Sequence, residues 1–323
     1  MRRLLRHSLI ALCSAALHEP AYALATYEAV GALRDTGCCH GATGIAAGDI
    51  DGDGRDEIVF GSGDSQHPPT ANHWSLLEFD GKRSLYQLRW QSPPYLPPVT
   101  SVNLVQAGQS GWLVLVGLSS GEVEVIDALT LARIGLLPAT NQPILATAVA
   151  DADNDGAPDI VIVTEAVTVL YDAETLEETA RLPFGAPLLR IGNVDADDAV
   201  ELVYSSGHVV EQAGTGTTLE WDYSNNGFGV DIELLDVDDD GIAEILATKG
   251  GGLRAFDAQT ETTQWVRHTG KQILSFTVRD VARTRGPSFS CSATGMTAST
   301  SSTAGRCRAR LSRRARDLDR IRR

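Results

Sequence analysis

The chain has 323 residues, with 42 Asp and Glu against 27 Lys and Arg and a formal net charge of −15. Such acidity excludes a surface built to neutralise nucleic-acid phosphates and favours solubility and cation binding. The length is sufficient for a sizeable core, and the seven His are scattered without metal-ligand spacing.

The first element is a basic start, Arg2, Arg3 and Arg6, followed by an apolar stretch from Leu9 to Leu17. A small-residue site, Ala23-Leu24-Ala25, precedes Thr26. Together they predict a secretory signal peptide over 1–25, too short to span a membrane. Leu12 ahead of Cys13 argues against a lipoprotein leader. No later segment is apolar enough for a membrane span, so the expected location is secreted, periplasmic or at the cell surface. Cys38 and Cys39 are adjacent; a vicinal disulfide and pairing elsewhere both remain open. With His40 they do not make the spaced zinc pattern.

Four nine-residue acidic patterns follow. Their oxygen-bearing residues are Asp49, Asp51, Asp53 and Glu57; Asp151, Asp153, Asp155 and Asp159; Asn193, Asp195, Asp197 and Glu201; and Asp236, Asp238, Asp240 and Glu244. Oxygens at positions one, three, five and nine suit a hard cation such as Ca2+. Several carboxylates in so short a loop repel one another unless a cation neutralises them. Gly54, Gly156 and Gly241 stand at the sixth position, where a left-handed backbone bends the loop. Asp198 takes that place in the third copy and tolerates it less well. Each pattern runs into a β-branched or apolar stretch, such as Ile58-Val59 or Ile160-Val161-Ile162-Val163, which reads as a strand. Strands on both sides exclude the helix-flanked 12-residue calcium loop.

The last two copies start 42 and 43 residues after their predecessors, a blade-sized period. The first step is longer, and a unit without acids lies inside it: Val102 to Val105, a Gly-rich turn, then Trp112 to Val116. A second signature, Asp-Ala-x-Thr after a strand, occurs at Asp127, Asp172 and Asp257 and predicts a further hairpin turn. Asp80-Gly81 is a looser form. Trp90, Trp221 and Trp265 follow in three of the units. Four strands per unit at this period predict a β-propeller of four-stranded antiparallel blades, about five recognisable with the start of a sixth, over 26–282.

The Asp-x-Asp-x-Asp-Gly-x-x-(Asp/Glu) loop leading into a β run resembles the FG-GAP/VCBS repeat family over roughly residues 40–270. That resemblance implies a calcium-binding propeller of the integrin α-like and secreted bacterial type, with each loop joining the first two strands of a blade. The Asp-Ala-x-Thr turns also resemble PQQ-type propeller repeats, which lack the acidic loops.

Ile273 to Val278 reads as the first strand of another blade, but no acidic loop follows. From 283 to 323 the sequence is Ser/Thr/Ala/Gly-rich and then Arg-rich. It is expected to be a disordered low-complexity tail or the product of a reading-frame change that truncated a longer propeller.

Three functions compete. The first is a secreted calcium-bound module that binds a protein or a surface polysaccharide through loops on a rigid scaffold, with no nucleic acid and no membrane span, and with the oligomeric state open. The second is a carbohydrate-active enzyme of the polysaccharide-lyase kind, which needs converging charged groups; Arg190, Lys249, Arg254 and Arg267 are the few basic candidates. The third is a truncated fragment without function. Gly117-Leu-Ser119-Ser-Gly121 matches a nucleophile elbow, but a β run follows it where a helix is required, so it reads as a hairpin turn and no catalytic residue is assigned.

Overall fold

The computed structural model describes residues 44–62, 72–107, 111–237, 240–268, 275–278, 288–295 and 303–310. The expected leader, the Cys38–Cys39 pair with His40, and Asp238 lie outside the described residues. Those described form strands and no helix. They fall into two compact units: one runs to Ala150 and takes in Ala157–Arg181, and the other comprises Asp151–Gly156 with the described residues from Leu182 onward.

The first unit holds three sheets, each of four antiparallel strands in sequential order. They are β1 (Ile45–Gly48), β2 (Glu57–Ser62), β3 (His73–Asp80) and β4 (Leu85–Gln91); β5 (Val99–Gln106), β6 (Trp112–Leu118), β7 (Glu122–Asp127) and β8 (Arg133–Pro138); and β9 (Ala146–Ala150), β10 (Asp159–Val163), β11 (Thr168–Asp172) and β12 (Glu178–Leu182). The second unit has β13 (Leu189–Gly192), β14 (Glu201–Tyr204), β15 (His208–Ala213) and β16 (Gly216–Asp222), then β17 (Ile232–Leu235), β18 (Glu244–Lys249), β19 (Gly252–Asp257) and β20 (Thr262–His268). A three-stranded sheet of β21 (Ser275–Val278), β22 (Ser288–Gly295) and β23 (Thr303–Arg310) completes it.

Burial follows strand order, and the sequence shows why. The second strands read as continuous apolar runs, as in Ile160-Val161-Ile162-Val163, and every residue of β10 and β14 is buried. Strands covered on both faces have this composition. The fourth strands, β4, β8, β12 and β20, are largely exposed. In the first unit the core includes Leu113, Leu115, Val123, Ile160, Ile162 and Val169. In the second it gathers Trp221, Phe228 and Phe256, with ring centroids 5.2–6.1 Å apart.

The hairpin turns are those expected. Asp127 Oδ1 accepts from Thr130 N at 2.6 Å and from Thr130 Oγ1 at 2.7 Å. Asp172 does the same with Thr175 at 2.6 and 2.8 Å, and Asp257 accepts from Thr260 N at 2.9 Å. The Ser119-Ser120-Gly121 stretch is a strand-to-strand turn in which Gly121 has φ 91° and a Cβ would stand 1.7 Å from Thr140 O. That geometry is a hairpin, not a nucleophile elbow.

Within the segment from 283 onward, the described residues 288–295 and 303–310 pair with each other from Ser288–Arg310 to Gly295–Thr303, and β22 pairs with β21.

Candidate metal centres

Each acidic pattern joins the first two strands of a sheet: β1–β2, β9–β10, β13–β14 and β17–β18. Three of the four share one anchor. The ninth-position Glu turns back and accepts the N–H of the second residue: Glu57 from Ile50 at 2.8 Å, Glu201 from Val194 at 2.7 Å and Glu244 from Val237 at 2.7 Å. All three glutamates are buried, because the residue is also the first of a covered strand.

The first-position carboxylate wraps the turn. Asp49 Oδ2 accepts from Gly54 N at 2.9 Å. Asp151 accepts from Asp155 N and Gly156 N at 3.0 Å each, and Asp236 from Asp240 N at 3.2 Å and Gly241 N at 2.9 Å. The sixth-position glycines have φ of 84°, 92° and 95°, conformations that cost a side chain roughly 1–2 kcal/mol. Among the described residues the fourth position is also left-handed at Gly52 (φ 77°) and Asn154 (φ 58°), which was not foreseen.

The structure brings oxygens of Asp49, Asp51 and Asp53 within 4.8 Å of one another. Such a set fits around one calcium at about 2.3–2.6 Å per ligand. Burial raises the Glu57 carboxyl, and Asp51, Asp53 and Asp49 add to it. Asp153 is raised first by burial and then by Asp155, its neighbour in the loop. Asp159 opens β10 and accepts from Thr179 Oγ1 at 3.3 Å. In the fourth loop Asp240 Oδ1 accepts from Ile242 N at 2.9 Å.

The third loop is built differently. Asp198 does not take the left-handed backbone expected of the sixth position. Asn193 Oδ1 accepts from Asp195 N at 3.2 Å, Asp195 Oδ1 from Asp197 N at 2.9 Å, and Asp197 Oδ1 from Ala199 N at 2.8 Å. The last two of these Asx turns recur in the first loop, at Asp51 and Asp53; what sets the third loop apart is Asn193, which accepts from Asp195 N and donates its amide to Asp197 O. The grouped oxygens here belong to Asp195, Glu201 and Glu220. Burial pushes Glu201 up to about 7, with Asp195 contributing. Glu220 is also raised to about 7, first by burial and then by Asp195.

Two residues absent from the sequence expectations therefore matter. Glu220 lies on β16 directly before Trp221. Asn154, inside the second loop, is a latch: its Oδ1 accepts Val200 N at 2.8 Å and its Nδ2 donates to Gln212 O at 2.9 Å. Among the basic candidates, Arg190 of β13 forks onto Glu233 of β17 at 2.9 and 3.1 Å, and Lys249 Nζ donates to Gly227 O at 3.2 Å.

No protein-family model matches the chain, and no curated protein does. Solved structures do. Two crystal structures of BBS1N in complex with ARL6DN, one soaked with lead and one with mercury, are similar with TM-scores of 0.56 and 0.55, at 11% and 12% identity. Each match covers 81% of this chain, and 80% and 79% of the other. The likeness, with five four-stranded antiparallel sheets in sequential order, shows the fold: the chain is an all-β protein of the β-propeller class.

Proposed function

We propose that the chain is an exported, calcium-stabilised propeller of the FG-GAP/VCBS kind that acts as an interaction module for a protein or a surface polysaccharide. The observation that carries this reading is the shared frame of the acidic loops. A buried Glu locks the second residue's amide in three of them, and the first-position Asp wraps the turn in three. Oxygens of Asp49, Asp51 and Asp53, and likewise of Asp195, Glu201 and the β16 residue Glu220, lie within 4.8 Å of one another. A hairpin turn needs none of this, and uncompensated carboxylates destabilise it. Calcium sites of extracellular modules have dissociation constants of about 10⁻⁴–10⁻³ M, which suits the leader read from the sequence.

A protein partner is supported by the similar propeller BBS1N, which is seen in complex with ARL6DN. The enzyme reading has less support: Arg190 is bound to Glu233 and Lys249 to a backbone carbonyl. Thermal melting of the full chain in calcium and in EDTA tests the proposal. A ligand that binds only the folded state stabilises it by about 1.4 kcal/mol per site at ten times its dissociation constant. Several sites therefore predict a fall in Tm on the order of 10 °C in EDTA. An unchanged Tm contradicts structural calcium.

A further inference from the structure

The fourth strand of several sheets carries a β-bulge, and the bulged residue is legible from the register. Leu76–Trp90 and Leu77–Leu88 leave Arg89 over; Val209–Trp221 and Val210–Leu219 leave Glu220; Ala255–Trp265 and Phe256–Thr263 leave Gln264. Bulges re-aim side chains. In β20 the bulged Gln264 Nε2 donates to Glu244 Oε1 at 3.2 Å, so the ninth-position carboxylate receives a neutral donor from the outer strand. In β13–β16 the corresponding residue is an acid. Glu201 spends Oε2 on Val194 N, and its Oε1 is buried with no hydrogen-bond partner. Glu201 as a whole is 0% exposed. Oxygens of Glu201, Glu220 and Asp195 nevertheless lie within 4.8 Å of one another.

A buried, unpartnered carboxylate oxygen faced by two further carboxylates needs a positive charge between them. We propose that Glu220 is a cation ligand, and that Asp195, Glu201 and Glu220 hold one calcium ion at the flank of the β13–β16 sheet rather than in the mouth of its loop. The sequence compensates for this shift. The third loop has lost an acid at Asn193 and the bending glycine at position six, and Glu220 restores the fourth carboxylate from another strand. An all-oxygen, carboxylate-rich set selects a hard divalent ion. Glu220 also hydrogen-bonds Glu211, so a shared proton is the competing arrangement.

The inference rests on reading the loops as cation sites, and the test separates the two. Calcium is titrated calorimetrically into the full chain stripped of cation, into Glu220→Gln, and into Asp236→Asn, which alters the fourth loop alone. Glu220→Gln recreates the β20 arrangement, so it should fold, with a Tm in EDTA at or above that of the parent. The expected result is that Glu220→Gln loses one calcium equivalent, or binds it at least about tenfold more weakly, while the other equivalents are unchanged. If Asp236→Asn loses an equivalent and Glu220→Gln loses none, the loop reading stands and Glu220 is no ligand; the shared proton then accounts for the cluster. If the unaltered chain takes up no calcium, both fall.

Discussion

The β5–β6 hairpin and the β13–β14 hairpin occupy the same place in their sheets and close differently. The first has lost its acids and extends its ladder through seven paired positions, out to Gln106–Trp112, with Ala107 N donating to Gly111 O at 3.0 Å. The second stops after four pairs and commits its remaining residues to carboxylates. The β1–β2 and β17–β18 hairpins also stop at four. The bulge follows the same division: it holds exposed Ile134 in the acid-free sheet and Arg89, Glu220 or Gln264 in sheets with a loop. On the proposed reading, backbone hydrogen bonds and an ion are alternative ways to close this corner; the bulged Gln264 and Glu220 lie against their loops' ninth-position carboxylates, whereas Arg89 pairs with Glu78.

The largest way to break the contrast is to remove the cation and follow amide hydrogen exchange. In EDTA the segments 49–57, 193–201 and 236–244 should lose protection by an order of magnitude or more, while β5 and β6 keep theirs. Equal loss across both kinds of hairpin would erase the distinction.

A second effect should change sign with calcium. Glu57→Gln keeps an acceptor for Ile50 N but removes a buried charge that Asp51, Asp53 and Asp49 repel. The variant should be more stable than the parent in EDTA and less stable, by about 1–2 kcal/mol, in saturating calcium. Denaturant melts under both conditions decide it. Smaller effects come from the bulge. Gln264→Ile removes the amide that donates to Glu244 and should cost about 1 kcal/mol. Ile134→Gln, in the sheet without a loop, should change stability by less than about 0.5 kcal/mol.

The smallest effect belongs to the turns between third and fourth strands, at the same end of the sheets as the turn between the first two, where an Asp carboxylate caps its own turn. The Thr130 backbone N–H holds Asp127 below the usual carboxylate range, and the Thr175 backbone N–H does the same for Asp172. A depressed folded-state value contributes stability that is present above the unfolded value of about 3.9 and is lost as pH falls through the folded one. Asp127→Asn and the parent should therefore differ at pH 6 and converge below about pH 3, as read by urea midpoints.

The repeat period and the alternation of turns with apolar runs made the blades legible, because strand pairing here is sequential and local. The place of the acidic loops, between the first two strands of a sheet, was legible for the same reason: each pattern lies within nine residues. What escaped was everything that depends on register. Glu220 reaches Glu201 only because a bulge before Trp221 turns it inward, and no spacing rule records a bulge. Asn154 is hydrophilic loop sequence until Val200 and Gln212 lie beside it. Asp198 does not take the left-handed bend at all, and Asn193 hydrogen-bonds to Asp195 N and Asp197 O, which spacing alone does not foretell.

The most direct test of the account is the number of calcium ions the folded full chain holds, measured by native mass spectrometry in millimolar calcium and after chelation. The account predicts one ion per acidic loop, four in all, with one lost in each of Asp49→Asn, Asp151→Asn and Asp236→Asn. A mass that does not change with calcium, or more than one ion persisting when all three aspartates are replaced together, would contradict it.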